Sequence, residues 1–464
     1  MHDPRTQIDR AAEAVRRDPG NAALLTELGN AYGGAERWHD AAEAYRQAVG
    51  RRPGLAAAHF NLGNALARLG RLDEAIGCFE RATALDPAFF AAYGNLGIAL
   101  SMTRRPAEAE AAFRAALNLA PKAAGLHANL ATSLREQGKL DEAVAGYLRA
   151  IALEPDSDLA AQTHRNLSDV LIELGRPDEA FAHDRLFAAL EYGKRRRAAG
   201  VMPPHKAEHD REQLAYMIAA GIPAVARFGG KAETPDPFNG FFHIEGGERL
   251  AGAAVNPATD AADVEEAWAR SNPQIAVVDD VLTPEALREV QRFCWGSTIW
   301  RAAHANGYVG AFPEHGFAAP LLAQIAEEFR LKFPRVFGPH KLRHLWGFKY
   351  DSRLKGINMH ADFAAVNVNF WITPDEANRD PASGGLVVWD VPAPLDWDFD
   401  KYNTDDSAIR AFLSRNHAAS TRIPYRANRA VIFDSDLFHE TDRTHFKDGY
   451  TNRRINITML YGRR

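Results

Sequence analysis

The 464-residue sequence predicts a multidomain α and β protein, an N-terminal α-solenoid followed by a C-terminal β-sandwich or barrel with flanking helices. Three observations carry that expectation. Residue types recur at a spacing of 34 through the first third of the chain. Beyond about residue 274, short strand-like runs alternate with turns. The composition, 46% hydrophobic and 25% charged, is that of a soluble globular chain long enough for several cores.

The repeat is justified position by position. Pro19, Pro53, Pro87, Pro121 and Pro155 lie 34 residues apart. Leu28, Leu62, Leu96 and Leu130 keep the same register, as do Gly29, Gly63 and Gly97, with Ala131 in the fourth glycine's place. So do Ala41, Ala75, Ala109 and Ala143, the aromatics Tyr45, Phe79, Phe113 and Tyr147, and Ala48, Ala82, Ala116 and Ala150. Each unit reads as two antiparallel amphipathic helices. Small residues let the helices approach, the aromatic fills the gap between them, and the proline ends the second helix. The pattern resembles the tetratricopeptide repeat. Four full repeats cover about 22–155, a half repeat precedes them at 8–20, and a degenerate fifth follows a three-residue insertion, with Leu167, Leu171 and Ala180 in register. The expected repeat domain is 1–193.

A solenoid is a binding surface. Asn61, Asn95 and Asn129 also repeat every 34 residues, and Asn166 holds the same place in the last repeat. They resemble the asparagine ladder of O-linked N-acetylglucosamine transferase. A carboxamide both donates and accepts, so it can hold a peptide backbone whatever the side chains. The other reading of the same residues is a bond to a neighbouring turn. The partner expected in the groove is a protein or peptide.

Residues 194–273 read as a linker with one helix. Lys194 to Arg197 form a solvated helix end, Pro203-Pro204 a break, and 206–220 an amphipathic helix with Leu214, Met217 and Ile218 on its apolar side. Residues 221–260 read as irregular, with a short strand at 241–244. Lys+Arg is 55 and Asp+Glu 60, a net charge of −5 that argues against a nucleic-acid partner. Two cysteines exclude a disulfide framework or a cysteine zinc site. The N-terminus lacks a signal-peptide core and no run of residues suits a bilayer, so no membrane partner and a cytoplasmic address are expected.

In 274–464 a strand is expected at 275–279, a helix capped by Thr283-Pro284, and a second helix at 318–333. Strands are expected at 342–350, 365–372, 385–389, 419–424, 429–433 and 455–461. Among them lies His360-Ala361-Asp362. His439 follows Asp362 after the strand 429–433, and Arg453-Arg454 open the last strand. Gly384-Gly385 sits where a strand should turn.

This layout resembles the iron(II)- and 2-oxoglutarate-dependent oxygenases, in their prolyl-hydroxylase-like branch. The resemblance implies a double-stranded β-helix (jelly roll) over 274–464. It implies His360, Asp362 and His439 as iron ligands, with 2-oxoglutarate and O2 as co-substrates. Two imidazoles and a carboxylate on one face of iron leave three open positions. Arg454 is implied as the anchor of the 2-oxoglutarate tail carboxylate, with Arg453 as the alternate, since strand alternation lets only one face inward. Tyr350 is implied beside the co-substrate. In Val366 to Trp371 one face is Val, Val, Phe and the other Asn, Asn, Trp. Asn367 and Asn369 either contact co-substrate or substrate or form an outward polar face.

The implied activity is a dioxygenase that hydroxylates a C–H bond, on a protein or peptide recruited by the repeats. Two alternatives stand beside it: a repeat-based adaptor with a degenerate or structural metal-binding β-domain, and an oxygenase acting on a small molecule or sugar. His243 and Glu245 form a rival pair without a strand-rich frame, and His445 a second distal histidine in a polar stretch. His39-Asp40, His183-Asp184 and His209-Asp210 read as surface pairs.

Overall fold

The computed structural model describes residues 4–194, 203–222, 242–304, 306–351 and 356–463, which divide into two units, Met1–Val170 and Leu171–Arg464. The first unit is helical: α1 (Pro4–Arg17), α2 (Ala22–Gly34), α3 (Trp38–Arg51), α4 (Ala56–Arg68), α5 (Leu72–Leu85), α6 (Phe90–Met102), α7 (Pro106–Leu119), α8 (Ala124–Glu136), α9 (Leu140–Leu153) and most of α10 (Asp158–Leu174). The division falls inside α10, not at 193, so α11 (Pro177–Lys194) belongs to the second unit.

The periodic residues explain the hairpins. Tyr45, Phe79, Phe113 and Tyr147 are buried, each on the second helix of its pair. A Cβ on Gly63 would lie 2.6 Å from Cε1 of Phe79, and one on Gly97 equally close to Phe113, so a methyl at either place would require the ring to shift. In the fourth repeat Ala131 takes the glycine's place, and the facing helix carries Gly146 where the other repeats have Ala44, Cys78 and Ala112. A Cβ on Gly146 would come within 2.9 Å of the Ala131 methyl. Each second helix stops because the residue before its proline is pushed out of the helical region. Arg52, Asp86, Ala120 and Glu154 there have φ of −139°, −135°, −132° and −141°. The turn within each hairpin needs a left-handed residue, supplied by Gly70, Gly138 and Gly175 (φ 74°) but by Glu36 and Arg104 (φ 58°) in two repeats. The three-residue insertion lengthens α10 to 17 residues against 13 in α8.

The second unit holds α11, α12 (Pro204–Ala219), α13 (Ala261–Arg270) and two antiparallel sheets. Its strands and remaining helices run β1 (Ile275–Val278), α14 (Pro284–Gly296), β2 (Ala302–His304), β3 (Tyr308–Ala311), α15 (Pro320–Lys332), α16 (Pro334–Phe337), β4 (Leu342–Tyr350), β5 (Val366–Trp371), β6 (Leu386–Pro392), α17 (Phe399–Asn403), α18 (Asp406–Arg415), β7 (Ser420–Ile423), β8 (Ala430–Asp434), β9 (Leu437–Thr441) and β10 (Ile455–Tyr461). The larger sheet has the order β1-β8-β5-β10-β4-β3-β2 and the smaller β7-β6-β9. A single bridge, His360 to His439, extends the smaller sheet beyond β9.

Apolar side chains fill the space between the sheets: Trp371 of β5, Leu386 and Val388 of β6, Ile423 of β7, Val431 and Phe433 of β8 and Leu437 of β9 form one cluster. The other face of the larger sheet packs on α15 and α16, where Phe370 lies 6.4 Å from Phe329 and Tyr461 lies 4.6 Å from Phe337. All six residues of β5 are therefore buried, and its Asn, Asn, Trp face looks between the sheets rather than to solvent.

The strands β4 and β10 have the expected bounds. The short strands β2, β3 and β9 and the helices α13, α17 and α18 carry signals too brief or too mixed to be expected. Residues 242–273 belong to the second unit rather than to a linker. Glu328 on α15 accepts from the N–H groups of Ala254 (2.8 Å) and Val255 (2.7 Å), and Gln324 from that of Leu250 (2.9 Å). No strand forms at 242–244; Phe241 and Arg195 to Arg197 lie outside the described residues.

Helix α12 forms as expected but buries an unexpected face. Its buried residues are Lys206, His209, Asp210, Gln213 and Met217, whereas Ile218 is 59% exposed. Most groups of the polar stripe pair: Lys206 bonds Asp210, His209 Nδ1 lies 3.0 Å from Asp210 Oδ1, and Gln213 Nε2 donates to the Ser297 carbonyl at 2.7 Å. The His209-Asp210 pair is thus interior, not a surface pair.

Candidate metal centre

His360 and Asp362 stand on the segment leading into β5, and His439 in the middle of β9. The segment is fixed by backbone bonds on both sides. His360 N–H donates to the His439 carbonyl (3.0 Å) and His439 N–H to that of His360 (2.8 Å). Ala361 N–H donates to the Tyr402 carbonyl (3.1 Å), and Asn403 Nδ2 donates to the Ala361 carbonyl (3.3 Å). Asp362 N–H donates to the Ser435 carbonyl (3.1 Å).

These bonds gather the three side chains. One ligand atom from each of His360, Asp362 and His439 lies within 4.8 Å of the others, the one such group of three or more among the described residues. Nδ1 of His360 sits 2.9 Å from the Asn358 carbonyl, and Nδ1 of His439 sits 3.0 Å from the Leu437 carbonyl. Those contacts make Nδ1 the protonated nitrogen and leave Nε2 of both rings as the lone-pair donor. His439 Nε2 is 3.5 Å from Asp362 Oδ2. Burial raises the Asp362 carboxyl above its ordinary value and pushes the His439 imidazole well down. A buried carboxylate beside two imidazoles is a costly set alone and a suitable one for a divalent cation. The donors therefore fit a mononuclear metal.

A polar chain runs from Asp362 across the inner face of the larger sheet. Asn367 Nδ2 donates to Asp362 Oδ2 (2.6 Å), and Asn369 Nδ2 to Asn367 Oδ1 (2.6 Å). Asn456 Nδ2 (2.7 Å) and Thr458 Oγ1 (2.9 Å) donate to Asn369 Oδ1. The carboxylate can only accept, so it sets the orientation of every amide behind it.

Arg454 lies on the same inner side, 1% exposed. Its Nε and Nη2 donate to the carbonyls of Gly384 (2.6 Å) and Gly385 (3.1 Å). Its guanidinium stacks on Tyr350 (4.6 Å) and Trp371 (5.5 Å), and its Nη1 has no hydrogen-bond partner. Gly384 has φ 82°, and a Cβ on Gly385 would collide with the Ile423 carbonyl, so both glycines are needed to bring these carbonyls to the arginine. Arg453 turns the other way, donating from Nε to Glu212 Oε2 of α12 at 2.7 Å. The Tyr350 hydroxyl is 3.2 Å from Thr441 Oγ1.

The rival residues do not join the site. His243 Nε2 pairs with Glu245 at 3.2 Å, and His445 is exposed. In the first unit, Asn61 Nδ2 donates to Asn30 Oδ1 (3.2 Å) and Asn95 Nδ2 to Asn64 Oδ1 (2.6 Å), linking successive repeats. Asn129 is half-buried at the same place, and Asn166 accepts from Gln162 within its own helix. Sequence reasoning missed Tyr402, Asn403, Thr441 and Glu212. None belongs to a motif: Tyr402 acts through its carbonyl, and Asn403, Thr441 and Glu212 through side chains that the fold brings near.

A family model described as the cilia and flagella-associated protein 70 C-terminal domain, of the tetratricopeptide type, matches residues 5–216. Among solved structures, the tetratricopeptide protein YrrB, described as having an unusual peptide-binding site, is 18% identical with a TM-score of 0.36, covering 39% of this chain and 92% of its own. MamA (41-end) from Desulfovibrio magneticus RS-1 is 19% identical with a TM-score of 0.36, covering 37% of this chain and 96% of its own. Pseudomonas aeruginosa pilF is 20% identical with a TM-score of 0.34, covering 39% of this chain and 82% of its own. No curated protein matches the chain. The N-terminal unit is a tetratricopeptide-type helical repeat, a domain type that engages protein partners. Among the described residues, no helix is long and apolar enough to cross a membrane.

Proposed function

We propose that the C-terminal unit is an iron(II)- and 2-oxoglutarate-dependent oxygenase of the double-stranded β-helix type, and that it hydroxylates a C–H bond on a protein or peptide held by the repeats. The observation that carries the reading is the pairing of two features between the same two sheets. One is the His360, Asp362, His439 donor set. The other is a buried arginine, Arg454, whose Nη1 has no partner.

His360, Asp362 and His439 would hold the metal, whose chemistry is oxidation of a C–H bond coupled to oxidative decarboxylation of the 2-oxo acid. Arg454 supplies a fixed cation for the far carboxylate, already oriented by two backbone carbonyls. Tyr350 and Trp371 wall that cation from water, which strengthens its attraction for an anion. Asn367 holds one carboxylate oxygen of Asp362 and so orients the other. The repeats would raise the local concentration of a peptide substrate.

A second reading is favoured by the family match being confined to residues 5–216. In it the protein is a repeat-based adaptor, and the metal of the β-unit is structural. Anaerobic titration of the full chain with iron(II) and then 2-oxoglutarate separates the two. The oxygenase gives a weak visible charge-transfer band that is absent in Asp362→Ala and weaker in Arg454→Ala. A folded protein with no band leaves the adaptor.

A further inference from the structure

We infer that Glu212 of α12 is a positioning residue for the Arg454 pocket, acting through Arg453 on the opposite side of the sheet; this rests on the oxygenase reading above. Strand alternation makes the link. At the end of β4, Lys349 and Tyr350 point to opposite faces, and before β10 so do Arg453 and Arg454. Tyr350 and Arg454 meet on the inner side, 4.6 Å apart. Lys349 and Arg453 meet the α12 side. Lys349 Nζ sits 3.1 Å from the centroid of the Tyr450 ring, and that ring lies 5.4 Å from both His209 and Tyr216 of α12.

The backbone at this point is anchored on both flanks of Arg454. Tyr350 N–H donates to the Arg454 carbonyl (3.0 Å), and Thr373 Oγ1 donates to the Arg453 carbonyl (2.9 Å). The Arg453 side chain adds a further restraint on the 453–454 segment from the α12 side. That side chain is 9% exposed. It bonds Glu212 at 2.7 Å and reaches Asp351 only at 3.5 Å. Without the Glu212 charge, the Arg453 guanidinium gains by moving towards water, and its chain neighbour Arg454 turns with it. Helix α12 thereby forms part of the co-substrate site although it contributes no atom to it.

The test uses the full chain under anaerobic conditions. In Glu212→Gln, the 2-oxoglutarate dissociation constant read from the charge-transfer band should rise about 10-fold, the scale of outer-shell changes. The iron(II) affinity should stay within about twofold and the melting temperature should hold. Glu212→Asp, which keeps the charge, should regain most of the affinity. Unchanged 2-oxoglutarate binding in Glu212→Gln would overturn the inference. So would a parallel loss of iron(II) affinity or of the fold in both variants, which would make the pair a general stabiliser. A wild-type protein without any band removes the oxygenase reading itself, a result distinct from either.

Discussion

His360 and His439, 79 residues apart in sequence, are a mutually hydrogen-bonded backbone pair whose rings stand 4.3 Å apart. Because main-chain atoms make the pair, side-chain changes at His360, Asp362 and His439 should spare the local fold. Asp362→Asn keeps an acceptor for Asn367 and removes a buried carboxylate. It should abolish iron(II) binding, while the metal-free variant should be as stable as the metal-free wild type or more so by roughly 1 kcal/mol. Denaturant unfolding of both apo-proteins decides it. A clear loss of apo stability would mean that the carboxylate serves the fold rather than a metal.

Asn367 bonds Asp362 at 2.6 Å without being a ligand. Asn367→Ala should weaken metal binding about 10-fold or more and leave Arg454 stacked as before. Isothermal titration with iron(II) or cobalt(II) measures this, and wild-type affinity in the variant would assign Asn367 to packing alone.

Two hairpin turns of the solenoid are strained by their side chains. Arg104 and Glu36 are exposed and hold φ of 58°, where glycine occupies the matching turns. Left-handed geometry costs a non-glycine residue about 1–2 kcal/mol. Glycine loses part of that gain through its freer unfolded chain. Arg104→Gly should therefore stabilise the repeats by about 0.5–1 kcal/mol. A drop in the midpoint of thermal unfolding would contradict it.

Glu110 accepts from Lys139 (2.7 Å), Gln137 (2.9 Å) and Arg114 (2.9 Å). The Lys139 bond, with the other two, holds its carboxyl down to about 2 against burial. A depressed carboxyl stabilises the folded state above its unfolded value near 4.5, and the contribution fades as pH falls towards 2. Wild type should thus lose about 1 kcal/mol relative to Glu110→Gln across that interval. Parallel pH–stability curves for the two proteins would refute this.

The sequence revealed the solenoid because each position is stated several times over, once per repeat. It revealed β4 and β10 because long alternating runs leave little choice of bounds. The short strands β2, β3 and β9 are stabilised by neighbours brought in by the fold, so three to five residues carry no reliable period. The cluster of His360, Asp362 and His439 was legible as a motif. What holds them was not, because Ala361 is gripped through its peptide group by Tyr402 and Asn403, and peptide groups leave no trace in residue type. Helix α12 misled for a different reason. Its inner face is Lys206, His209, Asp210 and Gln213, and hydrophobic periodicity cannot find a buried face that is polar.

The exchange at Ala131 and Gly146 has a consequence for the history of the solenoid. Three repeats keep the methyl group on the second helix, at Ala44 and Ala112 and, enlarged, at Cys78; the fourth carries it on the first. What the repeats hold in common is thus the volume shared by two facing positions, not the residue at either. A methyl added at Gly146 would meet the one already at Ala131, so the fourth repeat keeps a glycine opposite its alanine. Neighbouring repeats can thus differ at both facing positions, provided that the two change as a pair.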